Sequence, residues 1–162
     1  MEHNIKKILA AIDLSVYSTE TLRVAGEMAD KLNVPLLVAN VIHKRDLDIF
    51  EKLSEKSTYS LGEFLEHRET DRAERIKKMI KETGCSHLSI TILSRIGVPF
   101  QELIKIVDEE GVDLVVMGPK GRSDLEGVLF GSNAEKMFRH CPVPLLSVRR
   151  RSTNERFGNS KA

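Results

Sequence analysis

Glycine recurs at Gly118, Gly121 and Gly131, and the last is followed at once by Ser132 and Asn133. Glycines let a backbone approach a polyphosphate closely or turn through positive φ. A helix beginning near Ser132 would add unpaired N–H groups and a partial positive charge. The Ser132 hydroxyl can donate a further hydrogen bond, and Lys120 or Arg122 can supply a cation. The chemistry this set suits is binding of a phosphate-bearing ligand. Two familiar phosphate loops are excluded, because the chain contains neither GxxxxGK[ST] nor GxGxxG. A plain turn at Gly118–Gly121 with a helix cap at Ser132 is the competing reading, and glycine positions alone do not separate the two.

Asp13 closes the apolar run KILAAID, where its carboxylate can cap the next helix. Catalysis has no clear bearer. Hydrolysis of a phosphoanhydride needs a group that orients water near the γ-phosphate, and Asp124 and Glu126 inside the glycine loop could equally face solvent. The five histidines, at positions 3, 43, 67, 87 and 140, show no HxxxH spacing. His43 follows an apolar run and could border a pocket, and His140 closes the last helical stretch. No Ser-His-Asp or Cys-His constellation is legible, and Cys85 and Cys141 form no CxxC. Two reduced thiols suit a reducing, cytoplasmic compartment.

These residues need elements to hold them. Five short apolar runs read as strands: Lys7–Asp13, Pro35–Ile42, Leu88–Leu93, Asp113–Gly118 and Pro144–Arg149. They are nearly continuous rather than alternating, as in a parallel sheet covered on both faces. The third alternates, so one of its faces should be less deeply covered. Helical spacing appears over Thr21–Leu32, Arg72–Glu82, Pro99–Glu110 and Ser132–His140. Ser15 or Ser18 is expected to cap the first, and Ser132 with Glu135 has capping-box spacing for the last. Gly84 and Gly111 are expected to stop the second and third. Strands alternating with helices predict an α/β fold, a single doubly wound five-stranded parallel sheet with helices on both faces. Residues 44–62 are an insertion, either a short extra helix or a mobile flap. The polar stretch 150–162 is expected to be a disordered tail.

The 162 residues suit one domain, spanning 1–149. Lys plus Arg (25) nearly cancels Asp plus Glu (24), which gives no general electrostatic footprint for nucleic acid. The run near the N-terminus is too short for a signal peptide or a membrane span. In an open parallel sheet, ligands bind beyond the carboxyl ends of strands, which draws attention to the loops after Asp13, Ile42 and Gly118.

Gly118-x2-Gly121-x9-Gly131-Ser132 resembles the nucleotide loop of ATP-binding universal stress proteins. The surrounding DLVVMG-x2-GRS and GS-x-AEK-x3-HCPVPLLSVR are similar to that family's signature, and KILAAIDLSVYS resembles its first strand and loop. The resemblance covers residues 5 to 149 apart from the insertion. It implies a Rossmann-like fold of the adenine-nucleotide-binding hydrolase type and ATP, with magnesium or manganese, as ligand. Carried over by position, Asp13 would lie near the ribose or, indirectly, a phosphate-bound metal. Val41 would meet adenine through its backbone, and Met117 would line the base and sugar end. Gly118, Gly121, Gly131 and Ser132 would hold phosphates, with the Asn133 N–H beside them. Ala11 stands where the family commonly has proline, Leu14 where it has glycine, and Pro119-Lys120 where it has Ser/Thr-His/Arg. The resemblance further implies a stress-response role and a homodimer through the last strand, around Val143, Leu145, Leu146, Ser147 and Val148. A protein partner of unknown identity is expected, with no nucleic acid and no membrane. A nucleotide-dependent binding module or switch is the favoured function; a slow, partner-activated, Mg-dependent ATPase is the alternative. An enzyme with an SGGxDS-type loop is disfavoured, because this chain reads IDLSVYS there.

Overall fold

A computed structural model describes residues 4–54, 60–121 and 127–150. Arg122, Asp124, Glu126 and the tail from Arg151 onward therefore lie outside the described residues. Five parallel strands form one sheet: β1 (Ile8–Ala11), β2 (Leu36–His43), β3 (Ile90–Gly97), β4 (Leu114–Met117) and β5 (Leu145–Ser147). Their order is β3-β2-β1-β4-β5. The chain thus winds outward from β1 through β2 to β3, then crosses to β4 on the other side. The order reverses between β1 and β4, where a crevice opens at the strand ends in such sheets.

Alternation along each strand builds two cores. Ile8, Ala10, Leu36, Val38, Leu114 and Val116 face helices α1 (Ser18–Leu32) and α3 (Leu61–Glu82), meeting Leu22, Ala25, Ala29 and Ile76. Leu9, Leu37, Ala39, Val115 and Met117 face α4 (Pro99–Glu110) and α5 (Ser132–His140), meeting Leu103, Ile106, Val107, Ala134 and Met137. The continuous apolar runs are explained by this burial on both faces. β3 is an edge strand with no fully buried residue, in keeping with its alternating sequence.

Several boundaries differ from expectation. Residues 44–54 form a helix, α2, and α3 begins at Leu61 rather than Arg72. Phe50 of α2 stacks on Phe64 of α3 at 3.6 Å, with the Arg68 guanidinium 5.0 Å from the Phe64 ring. Polar residues dominate the first half of α3, so its periodicity is weak. Its start is fixed instead by a capping box, in which Ser60 Oγ accepts from Glu63 N–H and the Glu63 carboxylate accepts from Ser60 N–H. The capping box expected at Ser132 is absent: Gly131 is the N-cap of α5, and Ser132 is its first helical residue. Neither Ser15 nor Ser18 caps α1, whose N-cap is Tyr17. Leu32 is 46% exposed rather than core-facing. Gly111, at φ 63, caps α4, and Gly84, at φ 74, follows α3 as expected. Among the described residues, no helix is long and apolar enough to cross a membrane.

Candidate functional site

A cavity of about 390 Å³ opens at the carboxyl ends of β1, β2 and β4. Its floor is apolar, made of Ala11, Ala39, Val41 and Met117 from the strands, with Pro99 and Leu103 from α4. The opposite end is built from Asp13, Gly118, Lys120, Gly121 and the first turn of α5. The structure therefore gathers around one space every residue that sequence reasoning proposed as a ligand contact, save Arg122. An apolar slot beside a polar, glycine-rich end is the shape of a site for an amphipathic ligand.

The polar end is set by close backbone approach. A Cβ on Gly118 would lie 2.8 Å from Tyr17 Cβ, and one on Gly121 would lie 2.6 Å from Asp13 Oδ2. A Cβ on Gly131 would lie 3.4 Å from Lys120 Cα. None of the three glycines adopts positive φ. Gly118 and Gly121 are needed for lack of a side chain and not for the positive φ that was expected, whereas a Cβ on Gly131 would meet only ordinary contact. Gly131 N–H donates to Pro119 O at 2.8 Å, tying the loop's exit to its entrance.

Beyond Gly131, the first helical hydrogen bond runs from Glu135 N–H to Gly131 O at 3.0 Å. The N–H groups of Ser132, Asn133 and Ala134 consequently lack intrahelical acceptors, and all three residues line the cavity. The α5 N-terminus brings its partial positive charge to the same place.

Asp13 is held by the turn that leaves β1. Its Oδ1 accepts from Ser15 N–H at 2.9 Å and from Ser18 Oγ at 3.3 Å. Leu14, between them, adopts φ 63, a left-handed conformation that a leucine enters at a cost. Oδ2 faces Gly121. The carboxylate thus organises the β1–α1 turn on one side and meets the glycine loop on the other.

At the apolar end, β2 outruns β1. The β1–β2 register stops at Ala11 opposite Ala39, whereas β2 continues to His43. The carbonyls of Pro35 and Ala39 turn towards β1, accepting from Ile8 N–H at 3.2 Å and Ile12 N–H at 2.9 Å. By the two-residue alternation of a strand, Val41 directs its N–H and C=O to that same side. There β1 has already left the sheet. Val41 so presents one donor and one acceptor at the edge of the slot.

The cavity wall also includes residues that sequence reasoning did not assign: Ser15 and Tyr17 from the turn before α1, Ser18 and Thr21 from its first turn, and Arg45 from α2. Helix periodicity marked α1, but nothing in the sequence shows which way its first turn faces. His43 does border the cavity, and its Nδ1 accepts from Arg45 N–H at 3.0 Å. No group of three or more His, Cys, Asp or Glu side chains able to hold a metal occurs among the described residues.

Residues 4–149 match the profile of the Universal stress protein family. Universal stress protein MJ0577 of Methanocaldococcus jannaschii is 29% identical over 160 residues, covering 91% of this chain and 97% of the relative. Its solved structure superposes with a TM-score of 0.70 at 24% identity, covering 93% of this chain and 99% of that one. A universal stress protein solved in complex with cAMP gives a TM-score of 0.59 at 23% identity, covering 90% and 97%. The Archaeoglobus fulgidus universal stress protein in complex with dAMP gives 0.56 at 17%, covering 90% and 98%. With the match running through all five strands and both loops of the crevice, the chain belongs to the universal stress protein family.

Proposed function

We propose that the chain binds ATP in this crevice and acts as a nucleotide-dependent binding module or switch. The observation that carries the reading is the glycine loop. Gly118 and Gly121 are bare where side chains would collide, and three N–H groups without intrahelical acceptors at the α5 N-terminus line the same cavity. Such a cradle favours an anion, while the slot of Ala39, Val41, Pro99, Leu103 and Met117 suits a planar base. The cAMP and dAMP complexes of family members support an adenine nucleotide. Lys120 at the polar end supports a polyphosphate. Arg122, also proposed as a phosphate contact, lies outside the described residues. Occupancy would order the loops around Asp13 and Gly121 and so alter what the surface offers a partner.

Asp13 is an anion beside the phosphate end, which calls for a cation between the two. Its Oδ2 is suited to hold Mg or Mn indirectly, through water, with phosphate oxygens completing the shell. This favours a second reading, slow metal-dependent hydrolysis of ATP.

The test is the nucleotide released by denaturing freshly purified protein, identified by mass, beside a Gly131→Val, Ser132→Ala double variant. Co-purified ATP, absent from the variant, is the expected result. ADP alone would transfer support to the ATPase. If neither is found, and ATP with magnesium leaves the melting temperature unchanged, the reading is wrong.

A second copy of the chain is the partner we propose for β5. It is an edge strand of three residues, with Leu146 37% exposed, and exposed apolar edges invite pairing. Of the residues first considered, Val148 packs into its own core and Leu146 points out. Sedimentation should show a dimer that Leu146→Lys weakens at least tenfold. A monomeric wild-type protein at micromolar concentration would refute this.

A further inference from the structure

Asn40 is fully buried in the middle of β2, and Arg72 of α3 is 5% exposed beside it. The Arg72 guanidinium donates from Nη1 to Asn40 Oδ1 at 2.7 Å, and Asn40 Nδ2 donates to the Ile12 carbonyl at 2.8 Å. Chemistry fixes the orientation of the amide from both ends. A guanidinium carries only donors and a carbonyl only accepts, so Oδ1 must face Arg72 and Nδ2 must face Ile12.

The position of that carbonyl gives the contact its consequence. Ile12 N–H already bonds Ala39 O. One more parallel ladder bond would run from Val41 N–H to the Ile12 carbonyl and carry the β1–β2 pairing onward. The Asn40 side chain occupies that carbonyl instead, and the register ends at Ala11 and Ala39. β1 is therefore released from β2 at the residue before Asp13, and the Val41 peptide is left without its β1 partner.

We propose that Asn40, oriented by Arg72, is a positioning residue for base recognition. By taking the Ile12 carbonyl, it keeps the Val41 N–H and C=O available to the hydrogen-bonding edge of a bound adenine. The inference rests on the nucleotide reading above and deepens it. Adenine offers an amino donor beside a ring-nitrogen acceptor, the complement of one peptide C=O and one N–H. Hypoxanthine reverses both groups, so the Val41 edge distinguishes the two bases.

The experiment measures the affinities of ATP and inosine triphosphate, with magnesium, for the wild-type protein, Arg72→Met, Arg72→Lys and Asn40→Asp. Ligand-free melting curves are recorded alongside. Wild type should prefer ATP by at least about tenfold, the worth of roughly one to two hydrogen bonds. Arg72→Met unpins the amide, and Asn40→Asp has no donor for Ile12, so each should lose about tenfold of that preference. Arg72→Lys keeps a donor and should stay within about threefold of wild type. Equal weakening of both nucleotides with an unchanged ratio would mean that the pair only supports the core, and would overturn the proposal.

Amide exchange of Val41 in the wild-type protein decides the matter if the variants fail to fold. Its N–H should be unprotected in the free protein and become protected on addition of ATP. Protection already present in the free protein would place that N–H in the ladder and refute the assignment. Wild type that binds neither nucleotide would sink the ATP reading, while the free-protein exchange still judges the Asn40 device.

Discussion

Gly121 and Asp13 lie so close that a methyl group on the first must displace the carboxylate of the second. Gly121→Ala is expected to weaken ATP binding by at least tenfold and to cost about 1–3 kcal/mol of stability through overpacking. Titration calorimetry and urea unfolding read the two effects separately. Leu14 permits a cleaner dissection, because its φ of 63 and its packing against the first core oppose one another. Leu14→Ala and Leu14→Gly both lose the packing, but only glycine relieves the backbone. The glycine variant should therefore be the more stable by about 1 kcal/mol in urea, reversing the usual order. Cys141, at the end of α5, is a third case. Burial pushes its thiol pKa up, as does the negative charge of Asp108, against a lowering hydrogen bond from the Val143 backbone. A raised thiol pKa keeps the folded state stable at neutral pH. That contribution is lost as pH climbs from about 8.5, where an unfolded thiol ionises, through the higher folded value. Urea midpoints between pH 7 and 10 should fall more steeply for wild type than for Cys141→Ser.

Two serines near helix starts behave oppositely because only one is a cap. Ser60 Oγ accepts from Glu63 N–H at 3.2 Å, so Ser60→Ala should cost about 1 kcal/mol. Ser132 makes no capping bond, so Ser132→Ala should change stability by less than about 0.5 kcal/mol while weakening ATP binding. Chemical unfolding of both variants tests this contrast. The same pair shows what was legible in the sequence. The spacing S-x-x-E occurs at both sites and cannot say which serine stands outside the helix; backbone dihedrals decide that. Continuous apolar runs gave β1, β2 and β4, because burial on two faces leaves no alternation to misread. The first half of α3 was hidden because its stability comes from a cap and from contact with α2 rather than from an apolar stripe. In the candidate site, glycine spacing and the Asp13 position were readable. The facing of Tyr17, Thr21 and Arg45 was not, since it depends on the turn at Leu14 and on where β2 passes into α2.

At the scale of the whole molecule, the crevice draws on segments far apart in sequence: the β1–α1 turn, the end of β2 and the stretch from β4 to α5. Binding energy at that junction stabilises the entire fold. ATP at about a hundred times its Kd would add about 2.7 kcal/mol, a rise of roughly 5–10 °C for a chain of this size. Differential scanning fluorimetry should show that shift, and the Gly131→Val, Ser132→Ala double variant should abolish it. The strand order also has a temporal meaning. β1 is the centre of the sheet and is the strand made directly before β2, with which it can pair as soon as both have emerged. Its other neighbour, β4, begins only at Leu114. A nascent chain must therefore carry β1 covered along one edge only until β4 has emerged, and it cannot assemble the crevice before then. In this architecture, capture of the ligand certifies that synthesis has passed the start of α5.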